Sequence, residues 1–258
     1  MTDHISQFSY STPNSVKKLW FGVDTTIPST TLLQNNFSLF EWVTRNKIYP
    51  SFWGRYLTGE NALEEKEVCF LREKNCEILL IAKPDLGIAT EEEGKALAIK
   101  VSALAKKKDF LNNTAIFVEI NENDYATKSF MKGYACELLA KGYTPGFKAN
   151  TDAHFPFDRE FCRGLQAEPA LFQQCLLWAV SPTLREYNET TNAHSLHPNC
   201  WKPFAPSGIT RNEISVWQYG LNCHCICDNN DRRTSFNLNI TQNELLIPKI
   251  VKGIDKAT

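Results

Sequence analysis

Residues 114–121 read TAIFVEIN, a short apolar run carrying one acidic residue, Glu119, where a buried strand ordinarily has none. Removing a carboxylate from water among such neighbours is costly unless it is paired or turned toward a cleft, so the stretch reads as a strand that ends in a site. Residues 19–24, LWFGVD, have the same construction: large apolar residues closed by a single carboxylate, Asp24. Side chains alternate between the two faces of a strand. If Asp24 faces the inside of a barrel, Gly22 does too, and the same parity groups Glu119 with Phe117 and Ala115. Ile116, Val118 and Ile120 are then left to pack against helices. Two carboxylates at strand ends would share one cleft.

Around these two strands the chain repeats a strand–helix unit. After Asp24 a loop leads into a helical pattern over 31–46, with Leu32, Leu33, Phe40 and Val43 on one face. SFWGRYL from Ser51 reads as the second strand and 62–74 as the second helix. EILLIA (77–82) is the third strand. The third helix is the clearest element, because Thr90 and Glu93 have capping-box spacing and Leu97, Val101 and Leu104 mark one face, with an end expected by Lys108. TAIFVEIN is the fourth strand, followed by a helix over 127–141 that Gly142 terminates. TPGFKAN (144–150) is the fifth strand, and 158–174 holds a short fifth helix. The rhythm then changes. CLLWAV from Cys175, EISVWQY from Glu213 and TSFNLNI from Thr234 read as strands with no long helical pattern between them. The long connection over 181–212, with Pro182, Pro198, Pro203 and Pro206, reads as a structured loop. Five strand–helix units followed by three strands predict an α/β, TIM-like barrel, (β/α)5β3, with parallel strands and right-handed crossovers.

The chain has 258 residues, a length that suits one such barrel, with residues 1–18 as a polar N-terminal arm and 19–258 as a single domain. A net charge of −1 provides no long-range field for nucleic acid or anionic membrane. No apolar run approaches the roughly 20 residues a membrane span needs, and residues 1–18 lack the apolar core of a signal peptide, so a soluble, cytosolic product is expected. Nine cysteines, an odd number, suit reduced thiols better than a disulfide framework, and the sequons at Asn36, Asn112, Asn188 and Asn239 then carry no sugar. CHCIC (223–227) offers thiolates and an imidazole for zinc. Its spacing fits no familiar finger, and the alternation of Cys223, Cys225 and Cys227 suits ordinary strand or hairpin thiols. No metal or other cofactor is expected, and the sequence leaves the oligomeric state open.

In parallel barrels the working residues lie at the carboxyl ends of strands, where Asp24 and Glu119 fall. Paired carboxylates are what glycosidic cleavage uses, one as proton donor and the other as nucleophile, base or electrostatic stabiliser. The bland alternative is that each caps a helix or accepts hydrogen bonds from a loop. Aromatic residues recur near the predicted strand ends, namely Trp53, Tyr56, Phe147, Trp178, Trp217 and Tyr219, with Arg55 and Gln218 beside them. Together they suggest a polar, aromatic-lined cleft suited to sugar, although any one aromatic is as readily core.

Several stretches in order resemble the strand signatures of glycoside hydrolase family 25 lysozymes: FGVD, IFVEIN, YTPGFKAN, LLWAV and ISVWQYG. They resemble still more the glycoside-hydrolase-like domain of unknown function family 1906, in which WGRYL also has a counterpart. The resemblance spans roughly residues 19–240. It implies a barrel of five strand–helix units followed by three strands, and cleavage of peptidoglycan between N-acetylmuramic acid and N-acetylglucosamine by carboxylates on strands one, four and eight. On this resemblance Asp24 matches the strand-one carboxylate and Glu119 a strand-four carboxylate, the proton donor, with no metal required. The sequence departs from the lysozymes at two acids. Phe117 stands two residues before Glu119, or Asn121 two residues after it, where the lysozymes carry a second acid, and Asn237 stands where they tend to have Asp in the last strand.

The expectation is therefore a glycoside hydrolase acting on peptidoglycan or another N-acetylated glycan. Glu119 would be general acid/base with its pKa raised by apolar surroundings, and Asp24 an assisting carboxylate. Arg55, Tyr56, Asn121, Phe147, Trp178, Trp217, Gln218, Tyr219 and Asn237 would contact the sugar. Two rivals stand beside it: a barrel that has lost catalysis and binds a glycan or protein ligand, and a structural Glu119 neutralised by an Arg or Lys, for which Arg55 is the candidate.

Overall fold

A computed structural model of the chain describes residues 19–33, 36–45, 48–84, 88–122, 124–185, 198, 200–223, 235–242 and 246. Eight strands close into a barrel in chain order: β1 (Trp20–Asp24), β2 (Phe52–Tyr56), β3 (Glu77–Ala82), β4 (Ala115–Ile120), β5 (Thr144–Ala149), β6 (Leu176–Arg185), β7 (Val216–Cys223) and β8 (Phe236–Thr241). Helices α1 (Leu39–Arg45), α2 (Glu65–Glu73), α3 (Glu91–Lys107), α4 (Lys128–Ala140), α5 (Pro156–Ala167) and the short α6 (Pro169–Phe172) follow the first five strands. The last three strands are joined without a described α-helix, and a 3-10 turn at Arg211–Glu213 lies before β7. This is the expected (β/α)5β3 barrel. One feature differs from an all-parallel sheet: β8 runs antiparallel to both β7 and β1.

Local signals explain most boundaries. Thr90 accepts from the Glu93 backbone while the Glu93 carboxylate accepts from the Thr90 backbone, so α3 begins at a complete capping box. Gly142 adopts φ +81° just after α4, as a glycine terminator should. The first helix is shorter than the 31–46 expected. Leu32 bridges Ser38 in a tight reversal with Asn36 at φ 62°, and the helix starts only where Ser38 and Glu41 form a reciprocal cap. That S-x-x-E signal is present in the sequence. The apolar spacing that also includes Leu32 and Leu33 overran it.

Two apolar layers follow from the alternation. Outside the barrel, residues such as Val23, Ile116, Val118, Phe147, Trp217 and Ile240 join the helices in one large core. Inside, Phe52, Leu79, Ile81, Ala115, Phe117, Trp178 and Val216 fill the lower barrel. This filling requires glycine at facing positions. A Cβ on Gly54 would come within 2.6 Å of the Asp24 Cβ and 2.8 Å of the Trp178 ring, and one on Gly146 would strike Phe117. The interior is therefore packed up to the level of Asp24, and the polar groups gather at the carboxyl-terminal mouth.

Candidate functional site

At that mouth β1, β2, β4 and β5 each contribute one polar side chain to a hydrogen-bonded cluster, and β8 contributes two, Asn237 and Asn239. Register aligns Glu119 with Lys148 across β4–β5, and Asp24 with Asn237 across β1–β8. Lys148 is the centre. Its Nζ donates to Asp24 Oδ2 at 2.6 Å and to Tyr56 Oη at 3.4 Å, and lies 3.1 Å from Glu119 Oε1. Its ammonium also stands 5.2 Å from the Trp178 ring centroid and 5.7 Å from that of Tyr56, where ring faces attract cations. Tyr56 Oη in turn donates to Glu119 Oε1 at 2.8 Å.

Asp24 is wholly buried and saturated with donors. Besides Lys148, Asn237 Nδ2 donates to Oδ2 at 3.0 Å and Asn239 Nδ2 to Oδ1 at 2.7 Å, while Trp178 Nε1 fixes Asn239 by donating to its Oδ1 at 2.9 Å. The relay explains why an amide, not an acid, suits position 237: an Asp there would set a second anion against Asp24. Phe117, at the other departure from the lysozyme pattern, packs edge-on against Trp178 with centroids 5.2 Å apart, as part of the interior packing.

Glu119 differs from Asp24 in being reachable. Its side chain is 19% exposed and it lines a cleft of about 220 Å³ with Asn121, Glu122, Lys148, Asn150, Val180, Gln218, Leu221 and Asn237. Among the described residues Oε1 takes both hydrogen-bond donors, and Oε2 has none. Burial alone pushes this carboxyl up and is the largest single influence. The Lys148 charge, the hydrogen bonds from Tyr56 and Lys148 and the more distant Lys83 together outweigh it and hold Glu119 below its ordinary pKa. The raised value expected from apolar surroundings is thus corrected, because those surroundings contain a cation. Burial likewise pushes the Lys148 ammonium down, but Asp24, Tyr56 and Glu119 hold it well above its ordinary value. Burial and the neighbouring anions also raise the Tyr56 phenol, so it stays a donor. With two carboxylates and one ammonium, the cluster carries a net negative charge under a small opening.

The other expected contacts divide by strand parity. Tyr56, Trp178, Gln218 and Asn237 face the interior or the mouth, and Asn121 lies at the rim with its Nδ2 on Asp124. Arg55, Phe147, Trp217 and Tyr219, with Trp53, lie on the opposite face of their strands and do not reach the cleft. Arg55 forms a buried ion pair with Glu67 of α2 (Nε to Oε1, 2.8 Å) and donates to the Thr25 and Asn61 carbonyls. Phe147 packs with Tyr134, Phe157 and Phe161. Trp217 stacks edge-on with Trp201 and Tyr219 and donates from Nε1 to the Ser181 carbonyl. A partner for Glu119 does exist, as the structural rival required, but it is Lys148 and not Arg55, and a cleft lies above it. Cys223 ends β7 with its thiol buried; His224, Cys225 and Cys227 lie outside the described residues, as does the arm at 1–18. No described helix is long and apolar enough to cross a membrane.

A larger cavity, about 580 Å³, opens at the opposite face among the strand starts, beside Ile78, Leu79, Phe110, Leu111 and Leu246. Chemistry in such barrels sits at the carboxyl ends, and the facing carboxylates are there, so the smaller cleft is the candidate site.

No family model and no curated protein sequence matches the chain. Solved structures do. An uncharacterized B. stearothermophilus protein, determined at 1.07 Å, superposes with a TM-score of 0.71 at 22% identity, covering 88% of this chain and 98% of that one. The modular autolysin LytC from Streptococcus pneumoniae superposes with a TM-score of 0.50 at 10% identity. That match covers 88% of this chain and 47% of LytC, which has also been solved in complex with a synthetic peptidoglycan ligand. At these identities the likeness is one of fold: an eight-stranded α/β barrel, the architecture that the resemblance implied.

Proposed function

We propose that the chain is a glycoside hydrolase of this barrel type acting on an N-acetylated glycan such as peptidoglycan, with Glu119 as the carboxylate that meets the reacting sugar. The observation that carries the reading is the exposed edge of Glu119 on the mouth cleft, in a cluster of net negative charge. That charge suits the positive charge that develops on a sugar ring as its glycosidic bond breaks. Held ionised by Lys148 and Tyr56, Glu119 serves as base, and Asp24 acts beneath it by fixing Lys148. The strand signatures FGVD, WGRYL, IFVEIN and YTPGFKAN support a narrower kinship with the 1906 family.

Reducing-end release from peptidoglycan and from chitin oligomers tests this. Glu119→Gln is expected to abolish release while the protein stays folded by circular dichroism, and full activity in that variant sinks the assignment. The binding-only reading is favoured by one specific observation, that both carboxylates are already engaged by Lys148. Saturable glycan binding with no release by the wild type would establish it.

A further inference from the structure

Glycosidic cleavage needs a second carboxyl group on the cleft, one that holds a proton until the bond breaks. Asp24 does not fill that place, since it is sealed below the mouth and saturated by Lys148, Asn237 and Asn239. Glu119 sits against an ammonium. Among the described residues, the remaining carboxyl group on the cleft lining is Glu122, in the turn just after β4. It is exposed, and its described partner is a neutral amide: Asn150 Nδ2 donates to Oε1 at 2.8 Å. Asn150 is itself fixed, because its Oδ1 accepts from the Asp152 backbone at 3.1 Å. An independent feature marks the same cleft as built for a ligand. Gln218, 1% exposed, lines it with an Oε1 that no described donor reaches, leaving an acceptor for a sugar hydroxyl or acetamido N–H.

Resting on the hydrolase reading, we infer that Glu122 is the proton donor to the leaving sugar and forms the working pair with Glu119, in place of Asp24. Glu122 gives its proton to the glycosidic oxygen as the C1–O bond breaks and that oxygen leaves with the bonding pair. Water supplies hydroxide to C1 and its second proton to Glu119. Glu119 then releases that proton to solvent, and Glu122 takes one up. Asn150 aims the donor, and Lys148 keeps the acceptor charged.

Two substrates separate this role from a structural one: chitin oligomers, whose leaving sugar needs a proton, and a nitrophenyl N-acetylglucosaminide, whose phenolate does not. Glu122→Gln retains an oxygen for Asn150. It is expected to lower kcat/KM on oligomers by about a hundredfold or more and to leave the aryl glycoside within a few-fold of wild type. Glu119→Gln is expected to disable both substrates. Undiminished oligomer cleavage by Glu122→Gln, or an equal loss on both substrates, overturns the assignment while the hydrolase reading stands. A wild type inactive on both, and on peptidoglycan as well, overturns the two together.

Discussion

Replacing Lys148 with Met removes the cation at the centre of the cluster while keeping most of the apolar stem of the side chain. Asp24 would then lie buried with only two amide donors, and Glu119 would keep only Tyr56. Removing one partner of a buried ion pair costs about 3–5 kcal/mol, because the remaining charge is left uncompensated. For a domain of this size each kcal/mol is worth roughly 2–4 °C, so Tm should fall by about 10 °C or more at neutral pH. The pH dependence provides a sharper test. In the wild type Glu119 is held below its ordinary pKa, so its contribution is present above the unfolded value of about 4.3 and fades as pH falls through the folded one. In the variant burial prevails and the folded pKa rises above the unfolded value. Its contribution then becomes more unfavourable as pH rises through that window. The stability gap between the two proteins should therefore be widest near pH 7 and narrow toward pH 4. Urea denaturation across that range, with Asp24→Asn added as a second substitution that should recover part of the loss, measures it. A gap under about 1 kcal/mol, or one independent of pH, refutes the claim that Lys148 organises the site.

Asn237→Asp places a second anion on Asp24 and removes a donor to a charged acceptor. It should cost about 2–3 kcal/mol at neutral pH, with most of the loss recovered near pH 4 in thermal melts. Trp217→Ala should cost about 3–5 kcal/mol of stability yet leave glycan affinity within error by calorimetry, because the ring belongs to the outer core. Gly54→Ala should lower stability by about 1–3 kcal/mol, since the new methyl meets Asp24 and Trp178 at the level where the interior packing ends; an unchanged melting temperature would contradict that packing.

Asp24 and Glu119 were legible in the sequence because a lone acid in an apolar strand violates the ordinary composition of a core, and alternation predicts which face it takes. Lys148 obeys the same logic but sits in TPGFKAN, where Phe147 draws attention as a sugar-stacking ring. Parity with Gly146 inside the barrel would have singled out the lysine. The same check, applied to WGRY and VWQY, separates Tyr56 and Gln218 from Arg55, Trp217 and Tyr219. Asn239 was hidden in a sequon, and nothing in its immediate neighbours says that its amide is the floor of the site. Glu122 lies in a turn, where acids are common and carry no signal until a cleft is seen beside them. Strand direction was illegible for a different reason. Alternation is unchanged when a strand is reversed, so the antiparallel course of β8 follows only from how the barrel closes.

The reversed β8 also determines the polarity of the whole molecule. Because it descends from the mouth, Thr241 finishes beside Trp20, where β1 begins, and the two ends of the barrel sheet emerge together on the face opposite the cleft. The described ends of the sheet thus lie at the back of the barrel, a full strand length away from the mouth, which faces outward to meet a surface or a long polymer head-on.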